Sequence, residues 1–249
     1  MKKLNQFIIE RLKLSKNVKP QEYNYHPKNL KELKDLVNKL IEKRGNEADL
    51  NDIDTSAITD MSSLFYYYFM FNGDISNWNV SNVKEMQNMF YKTKFNGDIS
   101  KWDVSKVEDM EGMFYGSEFN GDISEWNVSN VKSMKYMFAE SLFNQDISDW
   151  DVRNVNSMYS MFIESKFNQN ISKWDVSNIK DMAWMFSYSK FNQDISKWNV
   201  SKVENMSHMF RGSEFNKDIS NWNISKVKNM KNIFTASPLE DNPPKWYKK

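Results

Sequence analysis

The chain contains no cysteine, and it has only seven glycines, five prolines and two histidines among its 249 residues. Without cysteine it can form neither a disulfide nor a thiolate metal site. The two histidines, His26 and His208, lie far apart in the sequence, and no H-E-x-x-H motif or phosphate-binding glycine loop accompanies them. We therefore expect a protein that is not an enzyme and that uses no cofactor or catalytic metal.

The sequence also lacks a long uninterrupted apolar run. Charged Glu10, Arg11 and Lys13 break the apolar pattern of the first segment, and no such run follows later. A secretory signal or a membrane span needs a continuous apolar stretch. We expect neither, so a cytoplasmic or phage-associated location is favoured.

The whole chain has no large excess of positive or negative charge, because its formal net charge is +1. This balance argues against a dedicated nucleic-acid-binding protein. The distribution is uneven, however: residues 1–44 carry 12 basic and 5 acidic residues, which leaves a net charge of −6 for the remainder. The two regions are either solvated surfaces of opposite bias or a basic head that contacts an acidic partner.

A unit of 24 residues repeats along most of the chain. Its phenylalanine anchors are Phe71, Phe95, Phe119, Phe143, Phe167, Phe191 and Phe215. Residues 50–65 form a disguised first unit, in which Leu50 and Ile53 keep the apolar spacing. A fixed period of this length predicts a stacked repeat protein, in which each unit covers the apolar residues of the next.

Two apolar spacings meet inside each unit. Ile123, Trp126 and Val128 follow the spacing I-x-x-W-x-V, which predicts a short strand. Val131, Met134, Met137 and Phe138 lie at i, i+3, i+6 and i+7, which predicts a helix of two to three turns. The expected fold is therefore an α/β solenoid, a leucine-rich-repeat-like right-handed coil of about eight 24-residue strand-turn-helix units with a helical N-terminal cap.

The ends of the chain differ from the repeat. An amphipathic helix is predicted over residues 3–14, and a cap helix over residues 29–44, where Asn29 and Glu32 have capping-box spacing. At the other end, Pro243 and Pro244 deny further strand pairing. We expect a head and cap over residues 1–49, repeats over 50–236 and a C-terminal cap over 237–249. The first helix offers a route to oligomerisation.

One repeat unit shows a set of spaced residues that recurs in the others: Trp102, Asp103, Val104, Ser105, Val107, Met110, Met113, Phe114, Ser117, Phe119, Asn120, Asp122, Ile123 and Ser124. These columns resemble the Bacteroides surface protein A type of leucine-rich-repeat protein, the Listeria and Mycoplasma surface-repeat family, over about residues 50–235. The resemblance implies a leucine-rich-repeat-like fold and a surface or adhesive role. We expect the chain to depart from the family in lacking a leader, a lipid-attachment cysteine and a wall anchor.

Two repeated columns invite a metal interpretation, and each also has a structural one. The aspartate column from Asp74 to Asp218 could suggest a calcium ladder, but Asn170 interrupts it, so side chains that cap turns are favoured. The methionine columns could suggest a copper or cofactor site. However, fourteen of the sixteen methionines lie in the repeat columns and are expected in the core.

Function is expected where the units differ. The preferred partner-binding set is aromatic and concentrates on the front units: Tyr66, Tyr67, Tyr68, Tyr91, Tyr115, Tyr136 and Trp184. The alternative is a variable column beside the tryptophans: Asn77, Lys101, Glu125, Asp149, Lys173, Lys197 and Asn221. For the column shared by Tyr66, Tyr91 and Tyr115, partial packing between adjacent units competes with partner binding.

The sequence thus favours a non-enzymatic repeat scaffold that binds another protein, whose identity it does not reveal. One alternative is a structural or assembly component, such as a phage virion protein. Another is a surface adhesin that binds a host protein or a glycan.

Overall fold

The structure, a computed structural model, describes residues 22–66 and 68–248. The helix predicted over residues 3–14 lies outside them. Within the described residues, one α-helix, α1, spans Leu30–Arg44, and one 3₁₀ helix, η1, spans Pro238–Glu240. The rest of this part of the chain consists of turns, extended segments and single-residue β-bridges.

Helix α1 confirms the helix predicted over residues 29–44. The Asn29 side chain accepts a hydrogen bond from the amide of Glu32 at 3.0 Å, and the Glu32 carboxylate accepts one from the amide of Lys28 at 2.9 Å. Gly45 ends the helix with a φ of 85°, a conformation that glycine adopts without steric cost. The buried face of α1, formed by Leu33, Val37, Leu40 and Ile41, belongs to the same apolar core as the repeats.

Each 24-residue unit, counted from its phenylalanine and called a coil below, is a chain of hydrogen-bonded turns. In the coil that begins at Phe95, amides donate to carbonyls three residues earlier in five places, for example Trp102 to Ile99 at 3.1 Å and Met113 to Met110 at 3.2 Å. Gly112, at the third position of the turn from Met110 to Met113, has a φ of 62°, as a type II turn requires. The backbone therefore reverses repeatedly within one coil.

Other amides of the same segment bond to the next coil. Those of Gly112, Phe114 and Gly116 donate to carbonyls 23 residues later, at 2.8, 3.0 and 2.7 Å. The residues between them donate within their own turns, such as Tyr115 to Gly112 at 3.1 Å. The backbone is thus satisfied alternately by its own turn and by the neighbouring coil. A column of parallel single-residue bridges runs beside it through Asp60, Glu85, Asp109, Ser133, Ser157, Asp181, Asn205 and Asn229.

The predicted α/β solenoid of strand-turn-helix units is wrong. No extended strand or sheet occurs among residues 22–66 and 68–248, and α1 is the α-helix there. The segment predicted as a helix contains Tyr136 and Glu140, each with a φ of 55°. A left-handed residue breaks the helical hydrogen-bond pattern, so the segment folds into turns. The predicted strand residues Ile123 and Trp126 are likewise the first and last residues of a turn closed at 3.2 Å.

The apolar columns predicted from the sequence are confirmed as the core. In the coil that begins at Phe119, all eight predicted apolar side chains are buried. Phenylalanine rings stack from coil to coil, with centroids 6.1 Å apart between Phe95 and Phe119 and 5.7 Å apart between Phe114 and Phe138. Thirteen of the fourteen repeat methionines are also buried, and Met230 in the last coil is partly buried.

Tryptophans tie each coil to the preceding one. The Trp126 indole nitrogen Nε1 donates to the carbonyl of Ile99 at 3.1 Å, and an equivalent bond to the preceding unit recurs at the other tryptophans of the same 24-residue column, which are Trp78, Trp102, Trp150, Trp174, Trp198, Trp222 and Trp246. At the C-terminal end, Trp246 bonds to Ile219, and Trp246 and Tyr247 pack on Phe234. The last residues therefore continue the tryptophan column over the final coil.

Candidate binding surfaces

A polar face runs along the coils on either side of the buried tryptophans. Its three columns lie one residue before each buried isoleucine, one residue before each tryptophan and one residue after it. The first contains Asp74, Asp98, Asp122, Asp146, Asn170, Asp194 and Asp218; the second Asn77, Lys101, Glu125, Asp149, Lys173, Lys197 and Asn221; and the third Asn79, Asp103, Asn127, Asp151, Asp175, Asn199 and Asn223. All are exposed except Asp151, which is half-buried.

The side chains of the first column are held in position because they cap turns of the backbone. The carboxylate oxygen Oδ1 of Asp122 accepts a hydrogen bond from the amide of Ser124 at 2.9 Å, and Asp146 accepts one from Ser148 at 2.8 Å. These bonds hold the pKa of both carboxyl groups below the ordinary value, so both are charged at neutral pH. Asn170 caps its turn in the same way, with its Oδ1 2.9 Å from the amide of Ser172. The cap therefore needs the side-chain oxygen and not the charge.

The second column is the variable one. All seven of its side chains are exposed, and they differ in charge from coil to coil. Lys173 pairs with Asp149 of the preceding coil at 2.9 Å. Across its three columns, the polar face carries eleven carboxylates and three lysines. A depression of about 450 Å³ lies between two of its coils, lined by Ser124, Glu125, Trp126, Asp146, Ser148 and Asp149.

The front tyrosines form a stack and are half-buried. Ring centroids are 4.5 Å apart between Tyr66 and Tyr91 and 4.8 Å apart between Tyr91 and Tyr115. The Lys92 ammonium lies 5.5 Å from the centre of the Tyr115 ring, and the Tyr115 hydroxyl donates to Glu140. The structure thus brings these three tyrosines together but uses much of their surface for packing between coils.

The other predicted aromatic residues are dispersed. Tyr136 packs edge-on against Tyr159 at 5.2 Å, and burial raises its pKa to about 12. The Tyr68 hydroxyl donates to Asn38 of α1, and Tyr67 lies outside the described residues. In the segment from Phe65 to Phe71 that contains Tyr67 and Tyr68, Phe65 and Phe71 are core residues, whereas Phe69 and Met70 are about half-exposed, at 51% and 52%.

Trp184 belongs to a separate cluster that the sequence interpretation missed. Its ring stacks on that of His208, with the two centroids 3.9 Å apart. The Arg211 guanidinium lies 5.9 Å from the centre of the Trp184 ring and 5.7 Å from the centre of the Tyr188 ring. Burial lowers the pKa of His208, because a charged imidazole would lose hydration there. Gly212 also lies against this cluster, because a Cβ at its position would be 2.4 Å from atoms of the Tyr188 ring. A glycine next to Arg211 was the available signal in the sequence that something packs closely there.

One family model matches the repeats. It is described as Mycoplasma protein of unknown function, DUF285, and it matches residues 31–142, 94–187 and 139–246 in three overlapping copies. The chain belongs to this family. No curated protein and no solved structure matches it.

Family membership confirms a Mycoplasma-type repeat protein but not the finer assignment to leucine-rich repeats of the Bacteroides surface protein A type. The family's function is unknown by its own description. Among residues 22–66 and 68–248, no group of three or more histidine, aspartate or glutamate side chains is arranged to hold a metal ion. In the same part of the chain, no helix has the length and apolarity needed to cross a membrane.

Proposed function

We propose that the chain is a non-enzymatic repeat protein that binds another protein through its polar face. The observation that carries this proposal is the variable column from Asn77 to Asn221, in which every side chain is exposed while the positions around it are nearly constant. A partner that distinguishes this chain from a generic stack of coils must contact residues that vary. The polar face offers such residues in one continuous column.

The geometry favours the polar face over the tyrosine set. Tyr66, Tyr91 and Tyr115 are half-buried and stacked on one another, so much of their apolar surface is already covered. In contrast, Glu125 and Asp149 stand exposed beside a depression of about 450 Å³ between two coils. The aromatic set from Tyr66 to Trp184 remains the competing hypothesis for the binding site.

The test exploits residues that the chain itself uses in the variable column. Because Asn77 and Asn221 already occupy it, the variant Lys101→Asn, Glu125→Asn, Asp149→Asn, Lys173→Asn and Lys197→Asn makes all seven positions asparagine. The melting temperature should be nearly unchanged, because exposed charges contribute little to stability. The control variant, Tyr66→Phe, Tyr91→Phe and Tyr115→Phe, keeps the stacked rings and removes their hydroxyl groups.

Both variants and the unmodified chain are cross-linked in the cells that make the protein, and captured proteins are identified by mass spectrometry. The proposal expects at least one other protein that the unmodified chain and the tyrosine variant capture and the asparagine variant does not. Capture lost in the tyrosine variant and kept in the asparagine variant would assign binding to the tyrosine set instead.

Two alternatives remain open beside this proposal. The resemblance to surface-repeat proteins of the Bacteroides surface protein A type supports an adhesin, whose partner would be a host protein or a glycan. The structural or assembly alternative requires copies of the chain to contact one another.

A further inference from the structure

We propose that the polar face of one copy of this chain binds a basic face on a second copy. The inference rests on the proposed function, because it names the partner of the polar face as another molecule of the same protein. Two such faces occur on every copy, and both are made of residues that the structure describes.

The basic face follows the polar face along each coil. It consists of the third, fourth and sixth residues after each buried tryptophan of the repeat column, from Trp78 to Trp222. Its basic side chains are Lys84, Lys106, Lys132, Arg153, Lys180, Lys202, Lys226 and Lys228, and its acidic ones are Glu108 and Glu204. The eight basic residues are exposed, whereas Glu108 and Glu204 are half-buried.

The two faces carry opposite charge. The polar face has eleven carboxylates against three lysines, and the basic face has eight basic residues against two acidic ones. Four half-buried carboxylates, Asp60, Glu85, Asp109 and Asp181, lie in the next column and reduce the positive charge without reversing it. Opposite potentials of this kind accelerate encounter and select the partner.

Many of these charges form no ion pair on their own copy. Lys132 and Lys228 pair with Glu108 and Glu204, at 2.5 and 2.6 Å. Among the described residues, no ion pair involves the remaining lysines of the basic face, which are Lys84, Lys106, Lys180, Lys202 and Lys226. The same is true of Asp122, Glu125 and Asp146 on the polar face. All of these groups are exposed. Lys106 and Lys202 donate hydrogen bonds to the neutral side chains of Asn82 and Asn178, and their charges are still available to a second molecule.

The two faces also share one period. Hydrogen bonds between coils set the spacing of both, because the columns belong to the same coils. Charges on one face therefore repeat at the same interval as charges on the other, and two copies lying side by side can pair several coils at once. The net charge of +1 adds little long-range repulsion to oppose such contact.

A contact between two different faces is heterologous, so each bound copy still presents one free face of each kind. Association of this type continues into rings or filaments instead of stopping at a dimer. Such a chain forms particles larger than a dimer, whereas a chain that associates through a single self-complementary patch forms only a dimer.

The experiment is sedimentation equilibrium of the purified full-length chain at about 10 mM and about 1 M salt, where charges are screened beyond roughly 30 Å and 3 Å. The polar-face variant carries Glu125→Lys, Asp146→Asn and Asp149→Lys, because lysine and asparagine already occur in these columns at Lys173 and Asn170. The basic-face variant carries Lys106→Asn, Lys180→Asn, Lys202→Asn and Lys226→Asn, matched to Asn82 and Asn156.

We expect the average mass of the unmodified chain to rise with concentration at low salt and to return to one chain at high salt. Each variant alone should remain monomeric at low salt. An equimolar mixture should form particles of two chains and no larger, because only one functional pair of faces remains. A control that removes four positive charges elsewhere, Lys39→Gln, Lys43→Gln, Lys94→Gln and Lys166→Gln, should associate like the unmodified chain.

The inference is overturned if the unmodified chain stays monomeric at low salt, or if either face variant associates as it does. Association that persists at high salt would also overturn it and would favour the predicted oligomerisation through the first residues of the chain. If the purified chain is monomeric while the asparagine variant still loses a captured protein in cells, this inference fails and the proposed function stands. If the chain associates as expected and no other protein depends on the variable column, the partner is the second copy.

Discussion

At the residue scale, the tryptophans combine burial with a hydrogen bond between coils. Trp150 is buried, its Nε1 donates to the carbonyl of Ile123 at 3.1 Å, and its ring lies 6.3 Å from that of Phe138. A buried indole needs a partner for its N–H group, and here the preceding coil supplies it. One side chain therefore stabilises two coils.

We predict that Trp150→Ala lowers the free energy of unfolding by about 3 to 5 kcal/mol, because it leaves a cavity and an unpaired carbonyl. Trp150→Phe keeps an aromatic ring and loses the hydrogen bond, so it should have the smaller effect. Urea unfolding of the three proteins measures the difference. Equal unfolding midpoints for the alanine variant and the unmodified chain would contradict the role assigned to this column.

Left-handed residues are the second feature that operates at single positions. Asn88, Gly112, Ser160 and His208 share one column, each with a positive φ. Glycine and asparagine adopt this conformation readily, so the column contained a signal for turns. Tyr136 and Trp184 occupy the same column and obscure that signal, because bulky residues rarely adopt positive φ.

At the element scale, an ion pair joins α1 to the first repeat unit, residues 50–65. Arg44 donates to the Asp52 carboxylate at 2.9 Å and to the carbonyl of Asp49 at 2.7 Å. The hydrogen bond from Arg44 lowers the pKa of Asp52 to about 2 from an ordinary value of 3.8. Both side chains are less than one-third exposed, so solvent screens this pair less than the other ion pairs of the coils.

We predict that Asp52→Asn destabilises the protein by about 1 to 2 kcal/mol at pH 7. Because the pKa of Asp52 is lower in the folded protein, its contribution is complete above about pH 4 and is lost as the pH falls toward 2. The difference between variant and unmodified chain should therefore shrink between pH 7 and pH 2.5 in urea unfolding.

The control for this prediction is Glu118→Gln, which removes an exposed carboxylate that is in no ion pair among the described residues. It should change stability little at either pH. A penalty for Asp52→Asn that is the same at both pH values would mean that the charge of Asp52 contributes nothing.

The sequence predicted α1 and the buried positions, but it did not predict the secondary structure of the coils. The cap and stop of α1 are local, at Asn29 and Gly45, and local signals are readable. The spacing from Val131 to Phe138 fits a helix, but a succession of turns places the same residues inward. The spacing alone cannot separate the two, because the deciding bonds run to another coil.

At the scale of the whole molecule, in-register stacking turns repeated positions into continuous columns. Exposure of the variable column from Asn77 to Asn221 was predictable, since its members are polar and lie next to buried tryptophans. The stacking of Tyr66 on Tyr91 was not, because it depends on how closely adjacent coils approach. The cluster around Trp184 likewise joins residues from two coils.

The central claim is that these coils are joined by backbone hydrogen bonds to the next coil along the whole stack. The most direct test is the detection of scalar couplings across hydrogen bonds by nuclear magnetic resonance, at the amide of Phe114 and its equivalents Phe90, Phe138, Phe162, Phe186 and Phe210. The account predicts that each amide couples to a carbonyl 23 residues later, which for Phe114 is that of Met137. Coupling to the carbonyl four residues earlier, that of Met110, would show a helix in each coil and would contradict the account.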